Sequence, residues 1–172
     1  MKFLAIDFET ANYSGDSACA IGLVRVENQV IVRRGYYLIK PPSKWFSFTY
    51  IHGITWEDVK DKPTFGELWG ELQDFFTGND FLVAHNSSFD ERILKTCCAA
   101  YNIMYPGIPF ECTMKHSRRL WNIYPTKLPN VCRHFGIPLD HHNAASDTEA
   151  CAQIMIRVLQ DSKNPRFRAS AF

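Results

Sequence analysis

The sequence predicts an α/β fold, a mixed sheet with helices packed on its faces. Two observations point there. The chain opens with three strand-like stretches and then runs helix, strand, helix and strand before closing in helices. Its apolar runs are short, yet 46% of its 172 residues are hydrophobic, with thirteen Phe and seven Tyr. That is enough for one domain with a sizeable core.

Taken in order, Phe3 to Ile6 is an apolar run that reads as a buried central strand, and it delivers Asp7, Phe8 and Glu9 at its C-terminal end. Ala18 to Glu27 is a second strand. Asn28 and Gln29 suit a two-residue hairpin turn into a third strand, Val30 to Ile39, closed by Pro41-Pro42. These three form a meander. Lys44 to Gly53 is irregular and aromatic. Thr55 is a candidate N-cap with Asp58 three residues on. A helix opens at Pro63-Thr64, with Phe65, Leu68, Leu72, Phe75 and Phe76 at helical spacing, and stops at Gly78-Asn79. Phe81 to Ala84 reads as a fourth buried strand, and a helix follows the turn at His85–Ser88, over about 89–101. Phe110 to Cys112 suits a short fifth strand. Thr113 is expected to cap a helix through Trp121. A further helix spans Lys127 to Phe135 and ends at Gly136, and the last long helix spans about Ala144 to Leu159. The expected organisation is one domain over residues 1–161 and a short polar, mildly basic tail over 162–172.

The formal net charge is +1, which speaks against a general nucleic-acid coating protein but not against an enzyme that grips a few nucleotides. The six cysteines form no CxxC pair and match no zinc spacing, so they read as reduced, buried small hydrophobes. No apolar run reaches the ~18 residues of a membrane span, and Phe3 to Ile6 is too short for a signal-peptide core. A cytoplasmic protein without a membrane partner is expected.

The acidic residues carry the chemistry. Asp7 and Glu9 lie two apart at the end of a buried strand, hence on one face. A carboxylate pair there must be paired, protonated or metal-bound. Asp90 falls in the first turn of a helix after a buried strand, and Asp147 near the start of the last helix. Taken singly, each also fits the ordinary preference of helix N-termini for acids. His142 taken singly reads as a loop histidine, and its neighbour His141 shows that a histidine there is not distinctive. Jointly, the acids offer hard oxygen ligands suited to Mg²⁺ or Mn²⁺. Two such ions ~3.5–4 Å apart clamp the attacking and leaving oxygens in phosphodiester cleavage. A nearby histidine, with an ordinary pKa of ~6.5, can take the proton from water.

Phe3–Thr10 resembles the first exonuclease motif of the DnaQ-like (DEDDh) family, Val83–Asp90 its second, and His142–Ala150 its third, in the form with histidine five residues before the last aspartate. Ile51–Thr55 is similar to the family's substrate-side loop. The motifs stand in the family's order and span nearly the whole chain. The resemblance implies an RNase H-like fold, a five-stranded mixed sheet with a three-strand antiparallel meander plus parallel strands, flanked by helices. It implies a 3′→5′ exonuclease domain over residues 1–161 that releases nucleoside 5′-monophosphates with two divalent cations, Mg²⁺ or Mn²⁺. Asp7, Glu9, Asp90 and Asp147 would be the metal carboxylates, with Asp7 bridging the ions. His142 would be the base, and His141→Ala is expected to matter little. Thr10 and Ala11 would meet the terminal nucleotide through backbone groups. His52 and Ile54 would wedge against the last base, with core packing as the alternative for Ile54. Asn86 either fixes the turn before Asp90 or touches substrate. Phe46, Phe48 and Trp45 either stack bases or pack as core or lid. Arg118, Arg119 and Lys127 either meet phosphates or line a solvated face. The expected partner is the single-stranded 3′ end of DNA or RNA. A polymerase or a second copy of the chain stays open as a protein partner, and a proofreading or accessory subunit is the alternative function.

Overall fold

A computed structural model describes residues 1–161; the tail expected over 162–172 lies outside the described residues. Strand β1 (Lys2–Thr10) runs on past Ile6 to include the acidic segment. It pairs antiparallel with β2 (Ala18–Glu27), which pairs antiparallel with β3 (Val30–Leu38). Asn28 and Gln29 both take positive φ, 50° and 67°, as a tight turn matched to strand twist demands. On the other side, β1 pairs parallel with β4 (Phe81–Ala84), and β4 with β5 (Phe110–Cys112). The sheet order is β3-β2-β1-β4-β5, with β1 at the centre.

Seven helices complete the described chain: α1 (Thr49–His52), α2 (Trp56–Val59), α3 (Phe65–Phe76), α4 (Ser88–Ala100), α5 (Thr113–Trp121), α6 (Leu128–Phe135) and α7 (Ala144–Asp161). The aromatic segment expected to be irregular contains α1, a single turn closed by Gly53 at φ 78°. Both Thr55 and Thr64 form capping boxes, with Asp58 and Glu67 respectively. Thr113 is not the cap expected of it. It is the first residue of α5, and its hydroxyl lies 2.9 Å from His85 Nδ1.

Side-chain alternation along β1 sorts the core into two layers. Leu4, Ile6 and Phe8 pack with Leu72, Phe75, Ile93 and Leu94 under α3 and α4. Phe3 and Ala5 pack with Val24, Cys151 and Met155 under α7. By the same period of two, Asp7 and Glu9 share the α7 face. Gly22 pairs with Asp7 across the ladder, and a Cβ there would stand 2.2 Å from the Ala144 carbonyl oxygen. The missing side chain lets the first turn of α7 lie directly on β2. All six cysteines are free and buried, and among the described residues no helix is long and apolar enough to cross a membrane.

Candidate active site

The C-terminal half of β1, the start of α4 and the start of α7 meet at one end of the sheet. Carboxylate oxygens of Asp7, Glu9 and Asp147 lie within 4.8 Å of one another. Asp90 reaches the same place from α4, where its Oδ1 accepts the Phe8 N–H at 3.1 Å. Four acids packed this closely resist ionising together. Burial, then the charges of Asp90, Asp147 and Glu9, push Asp7 well above the usual carboxylate range. Burial, with Asp147 and Asp90 behind it, raises Glu9 to about 8. Burial also raises Asp90, to about 7, against the opposing Phe8 hydrogen bond. Asp147 is raised by burial too, although His141 and the His142 N–H act against the rise.

Asp147 has two unlike oxygens. Its Oδ2 accepts from His141 Nδ1 at 2.9 Å and from the His142 N–H at 3.2 Å. Its Oδ1 is buried and has no hydrogen-bond partner among the described residues. An orphaned, buried oxygen among mutually repelling carboxylates is costly. A hard divalent cation satisfies both conditions at once, and the donor set is the oxygen-only kind such ions select. The residues present therefore fit a divalent metal.

A cleft of about 310 Å³ opens over the acids. Asp7, Glu9, Asp147 and Thr10 form its polar side together with His142, while Phe48, Ile51, His52 and Phe89 supply apolar and aromatic walls. A smaller cavity of about 180 Å³ adjoins it behind His142, reached by Tyr36, Ile54, Asp140 and His141. The segment joining β1 to β2 is tied back on itself, with Asn12 and Ser17 exchanging hydrogen bonds.

Not every residue singled out from sequence reaches the cleft. Ala11 is fully buried against Cys19 and Val59; its N–H donates to the Ser17 carbonyl, and its carbonyl accepts from Ser47 and Phe48. Its backbone groups are thus engaged within the protein. Thr10 does line the cleft, but its carbonyl accepts a hydrogen bond from His52 Nε2 at 3.1 Å. His52 Nδ1 accepts the Ile54 N–H at 3.1 Å. With both ring nitrogens committed and burial lowering its pKa, His52 presents a neutral ring face rather than a donor. Ile54 lines the side cavity while packing beside Val59. Asn86 is exposed with φ 71°, and its carbonyl accepts from the Phe89 N–H, so it shapes the turn into α4. Phe48 is a cleft wall set edge-on to Tyr13, Phe46 packs beside Ala11, and Trp45 is exposed. Arg118 Nε donates to Thr126 Oγ1, and Arg119 Nη2 stands 3.2 Å from His116 Nδ1.

Three participants escaped the sequence reading. His141, expected to matter little, holds Asp147 and stacks on His142 with ring centroids 3.8 Å apart. Phe89 forms a cleft wall, and its position next to Asp90 was a usable signal. His85, between the second motif's strand and its turn, braces β4 to α5 and to the Thr126 carbonyl, and burial drives it down to about 4.

Residues 4–155 match the RNase T family model, described as an exonuclease. The PolC-type DNA polymerase III of Caldanaerobacter subterraneus subsp. tengcongensis is 30% identical over 92% of this chain, and the chain spans 12% of that protein's length. Exodeoxyribonuclease 10 of Escherichia coli K12 is 33% identical over 91% of this chain and 68% of its own length. Exonuclease X in complex with 5′-overhanging duplex DNA superposes with a TM-score of 0.77 at 26% identity, covering 94% of this chain and 93% of that one.

Proposed function

The chain belongs to the RNase T exonuclease family, and from that premise we propose that it is a cytoplasmic 3′→5′ exonuclease. It hydrolyses the last phosphodiester of a single-stranded DNA or RNA 3′ end and releases a nucleoside 5′-monophosphate. The observation that carries this reading is the convergence of Asp7, Glu9 and Asp147 at an open cleft, with Asp147 Oδ1 buried and unpartnered.

Asp7, Glu9, Asp90 and Asp147 would hold two Mg²⁺ or Mn²⁺ ions. Bound there, such ions supply Lewis acidity that eases ionisation of water and charge on the leaving 3′ oxygen. The protein's own groups do the rest. Phe48, Ile51, His52 and Phe89 receive the terminal nucleoside by apolar contact and stacking, which reads a single strand without regard to sequence. Thr10, at the cleft, and Ile54, in the adjoining cavity, are secondary candidates for substrate contact. His142 lines the cleft beside Glu9 and Asp147 and takes the proton of the attacking water on a ring nitrogen. Burial and the neighbouring His141 lower its pKa, which keeps the ring neutral and ready to accept a proton at pH 7.

The test is a panel of 5′- and 3′-labelled DNA and RNA oligonucleotides with Mg²⁺, Mn²⁺ or chelator. Stepwise shortening of the 5′-labelled strand, prompt release of the 3′ label as mononucleotide, and full inhibition by chelator are expected. Cleavage of a closed circle, or metal-independent hydrolysis, overturns the reading. A second reading, an exonuclease that serves a polymerase, is favoured by the PolC-type relatives. Recovery of a polymerase with the tagged full chain supports it.

A further inference from the structure

Resting on the exonuclease reading, we propose that His141 is a positioning residue: it fixes the plane of the Asp147 carboxylate, leaving one oxygen free of protein donors, and sets the plane of the His142 ring. The terminal torsion of an aspartate is broad and two-fold, so the side chain does not by itself hold its carboxylate in one plane. Here Oδ2 is tied by two donors, His141 Nδ1 at 2.9 Å and the His142 N–H at 3.2 Å. Oδ1 is thereby the oxygen left buried and unpartnered, on a carboxylate that clusters with Asp7 and Glu9. The same imidazole stacks on His142, with centroids 3.8 Å apart and 23° between the planes. Of the two residues, His142 lines both the main cleft and the side cavity, whereas His141 lines the side cavity but not the cleft. His141 therefore stands behind the reacting groups, one contact removed, on both the ligand and the base.

Two separable contacts allow two separable losses. His141→Asn sets an amide nitrogen near the place of Nδ1 and keeps the donor without the stacked ring. His141→Phe keeps a ring against His142 without the donor. His141→Ala keeps neither. On the full chain, Mn²⁺ binding to metal-free protein is measured by titration calorimetry without substrate. Single-turnover cleavage of a 5′-labelled oligodeoxynucleotide is measured at saturating Mn²⁺. Outer-shell donors of this kind change metal affinity about 10–100-fold. His141→Ala is expected to weaken Mn²⁺ binding about tenfold and to slow cleavage even when the metal is saturating. Asn is expected to restore the affinity but not the rate, and Phe the rate more than the affinity. Variants that bind and cut as the parent does overturn the inference, and so do equal losses in all three that track loss of helical circular dichroism. A parent chain that binds no Mn²⁺ instead overturns the metal reading on which this rests.

Discussion

In the first half of β1, Phe3, Leu4, Ala5 and Ile6 are buried, and each meets apolar neighbours from one of the two helical layers. In the second half, Asp7 and Glu9 alternate with Ile6 and Phe8, and they meet one another, Asp90 and Asp147 instead. The ladder to β2 runs through both halves and shifts register between Glu9 and Thr10. The first half is consistent at every level, from β-propensity to packing. The second half violates the rule against buried like charges. Such violations mark function when the rest of the fold holds them in place.

Breaking the acidic half is expected to have the largest effect. Asp7→Ala should take cleavage below detection and abolish Mn²⁺ binding while leaving the circular dichroism spectrum unchanged, since it relieves repulsion rather than removing packing. A folded Asp7→Ala protein that still cuts would end the assignment. Next comes His142→Ala, which separates proton transfer from metal holding. A slowing of about 10²–10⁴-fold is expected, with Mn²⁺ affinity kept near that of the parent in calorimetry.

Gly22→Ala tests how closely the acidic half depends on its cover. The added Cβ meets the Ala144 carbonyl oxygen at 2.2 Å and Thr148 Oγ1 at 2.3 Å, so the first turn of α7 must move and carry Asp147 with it. A displacement near 1 Å can cost about 10²-fold in rate, and overpacking about 1–3 kcal/mol in stability. Parent-like kinetics with a parent-like Tm would show that α7 yields without consequence.

The smallest effect is a slope. Glu9 at about 8 and Asp90 at about 7 hold their protons more tightly in the folded chain than in the unfolded one. Their contribution to stability is therefore complete below about pH 4 and is lost as pH rises through about 8. His85, held near 4, adds the opposite slope below about pH 6.5. The acid contribution is then read between about pH 6.5 and 8.5, as the difference between parent and Glu9→Gln melting curves in chelator. The parent's Tm should fall more steeply than the variant's, and added Mn²⁺ should flatten it. Parallel curves would contradict the raised pKa.

How much of this was legible beforehand follows from distance along the chain. The meander and the capping of α2 are local, and periodicity with turn chemistry exposed them, whereas the parallel pairing of β4 with β1 and β5 joins distant segments and came from the family resemblance. Asp7 and Glu9 were legible because a carboxylate ending a buried run is an anomaly within a few residues, while Asp90 and Asp147, each an ordinary first-turn acid on its own, stood out only in the joint pattern and the family resemblance. Gly22 against Ala144 was not, since the contact spans more than a hundred residues and leaves no local pattern. Ala11 was misplaced for a related reason: the segment at Ser47 and Phe48 returns to take its carbonyl, and nothing near residue 11 announces that. His141 was passed over because adjacency to His142 made it look redundant. Its role appears once α7 turns Asp147 Oδ2 toward it.

The alternation along β1 also guards the folding of the sheet. A strand slipped by one residue would send Asp7 and Glu9 to the opposite side, into the layer formed by Leu72, Phe75 and Ile93. Dehydrating unpaired carboxylates among those side chains costs several kcal/mol apiece. Misaligned pairings of the central strand are thus rejected by the same side chains that line the cleft.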